Sequence, residues 1–152
     1  MLEQAEVLLR ILVAAVLTGA IGYERERAGK SAGLRTHMLV GMSAALFVGL
    51  GELAVTTFPL QEFEGGEIGL RYDPIRVLQA IVIGVGFLGS GIIFVDRDRT
   101  RTLGLTTAAS IWATAGVGIA TGLGLFVAAL GTTIMFILVL NVFTGLDRGG
   151  DG

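Results

Sequence analysis

The chain has 152 residues, of which 53% are hydrophobic and 16% charged, with a formal net charge of −2. A soluble domain carries about 25% charged residues spread over its surface. Here the charges fall in short blocks between long apolar runs, which excludes an ordinary soluble fold and predicts an integral membrane protein. Cysteine is absent, so disulfides and thiolate metal sites are excluded as well.

Five apolar segments predict five spanning helices, because a span needs about 20 mostly apolar residues. The first runs from about Val7 to Tyr23. Acids (Glu3, Glu6) precede it where a signal peptide would be basic, and the charged stretch ERERAGKSAGLR follows it in place of a cleavage site. It therefore reads as a retained helix. The second spans about Thr36 to Phe58 and leads into an acidic loop, Pro59 to Asp73, where the Asp73-Pro74 pair fits a helix start. The third runs from about Ile75 to Val95 and ends at DRDRTR. The fourth covers about Leu103 to Thr121, and a short TGLG link joins it to the fifth, about Leu125 to Thr144. Gly118, Gly122 and Gly124 leave a re-entrant pair open as an alternative there.

These runs are too long for strands. The expected fold is all-α: a polytopic transmembrane bundle over residues 1–146, with a short cytoplasmic tail at 147–152. Basic residues set its orientation. Arg25, Arg27, Lys30 and Arg35 lie in the first loop, Arg97, Arg99 and Arg101 in the third, and Arg148 after the fifth helix. With five spans all three regions share one side, which the positive-inside rule makes cytoplasmic, giving N-out, C-in.

The chain holds 24 glycines, many within helices. In lipid, small residues let helix backbones approach closely. Small pairs four apart (Ala15 with Gly19, Gly86 with Ser90, Ala109 with Ala113, Gly116 with Ala120) predict that the first, third and fourth helices lie near the centre. Gly84, Gly86, Gly89 and Gly91 of the third helix are the expected packing motif.

Catalytic patterns are missing: no phosphate-binding G-x-x-x-x-G-K-[ST] loop, no H-E-x-x-H and no nucleophile elbow occur. GVGFLGSG resembles a dinucleotide loop only superficially, because it lies in a predicted span with no preceding strand. The one histidine, His37, has no second histidine or cysteine to complete a metal site. No enzyme activity, cofactor, metal site or nucleic-acid partner is expected.

The remaining candidates are polar. Glu24 and Arg25 close the first helix, and Arg35, Thr36 and His37 open the second. They are either positive-inside anchors with neutralising acids or a cluster in which Glu24 pairs with Arg35 and His37. Thr106, Thr107, Ser110 and Thr114 form a hydroxyl face that either bonds helix carbonyls or lines a hydrophilic path, and Gln79 poses the same question on the third helix. Arg10 and Glu52 are the charges most clearly inside apolar runs. Such charges are costly in lipid and usually paired, so either an Arg10–Glu52 ion pair forms or Arg10 reaches the interface with help from Glu6.

The stretches GYERERAGKSAGLRTHMLVGMSAALF, DPIRVLQAIVIGVGFLGSGIIF and GLTTAASIWATAGVGIATGLG resemble the MgtC/SapB family of bacterial and archaeal membrane proteins. The resemblance marks Glu24, Arg25, Arg35, Thr36 and His37 as the first-loop signature, Gly86, Phe87, Leu88, Gly89 and Gly91 as the glycine-rich helix, and Thr106, Thr107, Ser110 and Trp112 as a third block. In two respects the chain departs from the family: Leu103 stands where a basic residue is expected before GLTTAA, and the chain reads as a short form without the soluble C-terminal domain of many members. The resemblance implies a multi-pass protein of the cytoplasmic (inner) membrane, linked to magnesium limitation and, in pathogens, to survival in host cells.

Two functions are expected from this. One is a regulatory or interaction protein that binds another membrane complex, such as the proton-driven ATP synthase that the resemblance implies for some members. The alternative is a transporter or channel for Mg2+ or another cation. A Mg2+ path needs carboxylates that tolerate a hydrated ion, and no acid lies deep in any predicted span. Transport through so few helices would call for a homodimer or higher oligomer.

Overall fold

The computed structural model describes residues 2–57, 73–95 and 102–142. The acidic second loop, the DRDRTR stretch and the tail, with Glu62, Glu64, Glu67, Arg71, Arg97, Arg99, Arg101 and Arg148, lie outside the described residues. The order is α1 (Leu2–Arg27), α2 (Leu34–Thr57), α3 (Pro74–Ser90), β1 (Phe94–Val95), β2 (Thr102–Leu103), α4 (Leu105–Gly122) and α5 (Phe126–Val142). α1 and α2 are long and apolar enough to cross a membrane, and α3 and α5 are shorter apolar helices.

Local chemistry accounts for the element ends. Glu26 accepts the Leu34 N–H at 2.9 Å and so satisfies one of the open donors at the start of α2. Asp73 caps α3 by accepting from Ile75 N at 3.0 Å, and Pro74 follows where its missing N–H costs nothing. α3 stops at Ser90, short of the expected Val95. The reason is local: Gly91 begins a turn, and the β-branched residues after it favour extended backbone. There Phe94 and Val95 pair antiparallel with Leu103 and Thr102. Gly104, at φ 83°, then redirects the chain into α4, and a Cβ there would sit 2.2 Å from the Ile92 carbonyl oxygen.

The centre of the bundle is α1, α2 and α4. A Cβ on Gly41 of α2 would lie 2.3 Å from Thr18 Cγ2 of α1, and one on Gly118 of α4 would lie 2.4 Å from the Gly41 carbonyl oxygen. Gly122 meets Val48 and Ala45 in the same way. Around this seam Ala44, Val48, Ile111 and Ala115 form one apolar cluster with Ile81 and Val85 of α3, while Ile21, Val117 and Ala129 form a second with α5.

This corrects the expected centre. α2, rather than α3, joins α1 and α4, and the α3 glycines are not the packing motif. Gly84 and Gly86 face open space, Gly91 meets only its own turn, and Gly89 keeps ordinary contact distance from Ala108 at 3.7 Å. A glycine-rich string shows where close approach is allowed but not which face a neighbour occupies. α3 buries only the Ile81, Val85 and Gly89 edge and turns Ile83, Phe87 and Leu88 outward.

Candidate functional site

Polar side chains collect at both ends of α1. At the N-terminal end, Arg10 donates from Nη1 to Glu52 Oε2 at 2.7 Å and to the Gly122 carbonyl at 2.7 Å, and from Nη2 to Glu6 Oε1 at 2.6 Å. The Arg10–Glu52 pair is present, and Glu6 shares the same guanidinium. The arginine side chain is 13% exposed, whereas both carboxylates are mostly exposed. Gly122 is the last residue of α4, whose final carbonyls lack partners within the helix. A cation suits that negative helix end.

The other end carries a second buried arginine. Arg25 is 1% exposed, pairs through Nε with Glu24, and donates from Nη2 to Glu24 Oε1 at 2.7 Å and to the Leu140 carbonyl at 3.3 Å. Leu140 lies in the last turn of α5. The expected pairing of Glu24 with Arg35 and His37 is therefore replaced by pairing with its neighbour in sequence. Arg35 and Thr36 sit in the first turn of α2 and face outward. Reading Arg25 as a surface anchor missed its burial, although Ala14, Thr18, Ile21 and Arg25 share one helical face, and the first three are apolar or small.

His37 is fully buried, with Nδ1 2.9 Å from the Gly33 carbonyl and Nε2 3.1 Å from Ser110 Oγ. The carbonyl can only accept, so Nδ1 carries a proton. Ser110 also donates to the Thr107 carbonyl at 2.8 Å. A neutral ring thus leaves the single hydroxyl proton shared between Nε2 and that carbonyl, whereas a doubly protonated ring satisfies every partner.

The hydroxyl face of α4 divides. Thr106 is exposed, whereas Thr107, Ser110 and Thr114 are buried against α2 and α1. Thr114 donates to the Ser110 carbonyl at 2.8 Å and Thr121 to the Gly118 carbonyl at 2.8 Å, so these hydroxyls bond their own helix. Gln79 and Trp112 face outward. Among the described residues no group of three histidines and acids is placed to hold a metal ion.

Residues 11–148 match the MgtC family. The chain belongs to that family. It is 42% identical over 139 residues to the "Putative magnesium transporter YhiD" of Escherichia coli (strain K12), covering 91% of this chain and 61% of that protein. It is 37% identical over 145 residues to Protein SrpB of Synechococcus elongatus, covering 91% of this chain and 75% of SrpB. Identity to Protein MgtC of Salmonella typhimurium is 39% over 135 residues, 89% of this chain and 51% of that protein. The chain thus spans only part of YhiD and about half of MgtC. No solved structure matches it. Family membership and the two long apolar helices together make it a membrane protein.

One more feature of this MgtC-family chain is an open, apolar groove of about 930 Å³ between α2 and α3. Leu39, Ser43, Phe47 and Leu50 form its α2 wall, facing Ala80 and Gly84 of α3. A smaller recess of about 360 Å³, with Thr36, Ser90 and Ile92 among its lining, shares Val40 and Leu88 with the groove.

Proposed function

We propose that the chain is a five-span protein of the cytoplasmic membrane, N-out and C-in, that serves magnesium homeostasis as a regulatory or interaction protein. The observation that carries this is the closed seam of α1, α2 and α4. Gly118 brings the α4 backbone against that of α2 at Gly41, Gly41 in turn packs on the Thr18 side chain of α1, and Arg10 and Arg25 tie α1 to α4 and α5. Mg2+ sheds water reluctantly and is usually bound with several waters still attached. A seam packed backbone to backbone offers such an ion no room, while outward apolar faces offer helices of another complex a place to dock. The magnesium link follows from family membership and the name carried by YhiD.

That same name favours a second reading, cation transport by an oligomer with its path between copies. Purified protein in sealed liposomes separates the two. The regulatory reading expects no Mg2+ flux above that of empty vesicles and a membrane complex, the proton-driven ATP synthase being the first candidate, recovered with the chain from native membranes. Robust flux that disappears in Glu52→Gln or Thr106→Ala/Thr107→Ala protein would overturn it.

A further inference from the structure

His37 is the chain's single histidine, fully buried where α1, α2 and α4 meet. α1 presses on it directly: a Cβ on Gly22 would lie 2.9 Å from His37 Cβ. On α4, Ser110 Oγ lies 3.1 Å from Nε2 of the ring and 2.8 Å from the Thr107 carbonyl. Nδ1 is committed to the Gly33 carbonyl, so Nε2 is the nitrogen that gains or loses a proton. Both forms are bonded. With Nε2 bare, the Ser110 hydroxyl turns its proton to the ring. With Nε2 protonated, the ring donates to Oγ and the hydroxyl donates to Thr107. The packing therefore holds either state without orphaning a ring nitrogen.

What differs between the two states is charge. α4 and α5 carry no ionisable side chain, and Arg35 at the head of α2 faces outward. The charges that act on His37 are Arg25 and Glu24 of α1. Arg25 lies three residues past Gly22, on the face of α1 that packs against His37. Beside a neutral ring, Arg25 keeps Glu24 to itself and reaches the Leu140 carbonyl of α5. An imidazolium sets a second cation against that one carboxylate. Glu24 is then shared and Arg25 is repelled, and the longest of its bonds, to Leu140 at 3.3 Å, is the one to yield. We infer that His37 is a proton-operated latch: a proton gained at Nε2 releases α5 from Arg25. The latch goes beyond the function proposed above, since it works whether the chain regulates or transports. His37 lies one turn from the start of α2 and close in sequence to the exposed residues 29–31, so opening of that end alone admits a proton.

The test uses the full chain in detergent with 15N-labelled histidine, because one histidine gives one readable titration. Over about pH 5–8, the range in which imidazole changes charge, the NMR spectrum should show Nδ1 protonated throughout and Nε2 gaining its proton. Backbone hydrogen exchange around Leu140, corrected for the chemical effect of pH, should rise about tenfold along the same curve. That is the factor carried by one hydrogen bond from a charged donor. His37→Gln should flatten the rise. Ser110→Ala removes the partner of Nε2 and should displace both curves by the same amount, which decides the matter where His37→Gln does not fold. A ring that keeps one protonation state, or exchange that stays flat while the ring titrates, overturns the latch. So does a rise that survives His37→Gln, or curves that separate in Ser110→Ala.

Discussion

Arg10 on α1 and Gly122 at the end of α4 meet through one hydrogen bond of 2.7 Å across 112 residues of sequence. Arg25, on the same helix, reaches the Leu140 carbonyl near the end of α5 at 3.3 Å. The two arginines are 15 residues apart, about 22 Å of helix. α1 therefore acts as a spine that ties α4 and α5 from two well-separated points along its own length. At Gly122, the last residue of α4, the contact supplies a donor to a carbonyl that the helix itself leaves open.

The Arg10 junction is expected to be cooperative. Arg10→Leu removes the donor to Gly122 and both acids, and about 2–3 kcal/mol of stability should go with it. Glu52→Gln alone should cost less than about 1 kcal/mol, because its carboxylate is largely exposed and Glu6 remains on the guanidinium. Once Arg10 is leucine, Glu52→Gln should cost nothing further. A double-mutant cycle on detergent unfolding reads this coupling, and strictly additive losses would refute the junction.

Glycines should divide by the face they occupy. Gly118→Ala places a methyl 2.4 Å from the Gly41 carbonyl oxygen and 2.9 Å from its Cα, backbone atoms that cannot step aside. The α2–α4 contact must open, at a cost of about 2 kcal/mol or more. An added Cβ at Gly131 of α5 meets nothing within 4 Å. Gly131→Ala should therefore be neutral or stabilising by up to about 1 kcal/mol through helix propensity. The same unfolding assay on both variants checks the contrast.

That contrast also marks what could be read before the structure. Five helices, the Asp73-Pro74 start and the meeting of Arg10 with Glu52 were legible because long apolar runs, and charges set within them, have few ways to be satisfied. The central trio was not, because glycine counts carry no direction: Gly86 and Gly118 look alike in sequence, yet one faces open space and the other a backbone. Arg25 was misread because its charge outweighed its register. It continues the buried line of Ala14, Thr18 and Ile21, and the acid that neutralises it is the adjacent residue. The α3 end was missed because Ile92, Ile93 and Val95 are as apolar in a strand as in a span.

Topology can be checked directly because the chain has no cysteine. Gln4, at the exposed start of α1, and Lys30, in the exposed first loop, lie at opposite ends of that helix. A single cysteine at Gln4 should react with a membrane-impermeant maleimide on intact cells, and one at Lys30 only after the membrane is opened. The reverse pattern would invert the N-out orientation, and equal labelling of both would remove α1 as a span.

Arg25 and Glu24 offer the sharpest energetic test, because they are the most deeply buried ion pair described, at 1% and 13% exposure. Removing one partner of such a pair strands the other charge away from water, typically at a cost of 3–5 kcal/mol. Arg25→Met should therefore lower stability by about 3 kcal/mol or more and loosen the contact between α1 and α5, because the bond to the Leu140 carbonyl goes with it. Glu24→Gln added to Arg25→Met removes the stranded carboxylate and should recover part of the loss, although the bond from α1 to Leu140 stays lost. Backbone hydrogen exchange around Leu140 distinguishes the two contributions: it should rise in both variants, while global stability recovers only in the double one. A double variant no more stable than Arg25→Met would mean that the loss came from the α1–α5 contact alone and not from burying an unpaired charge.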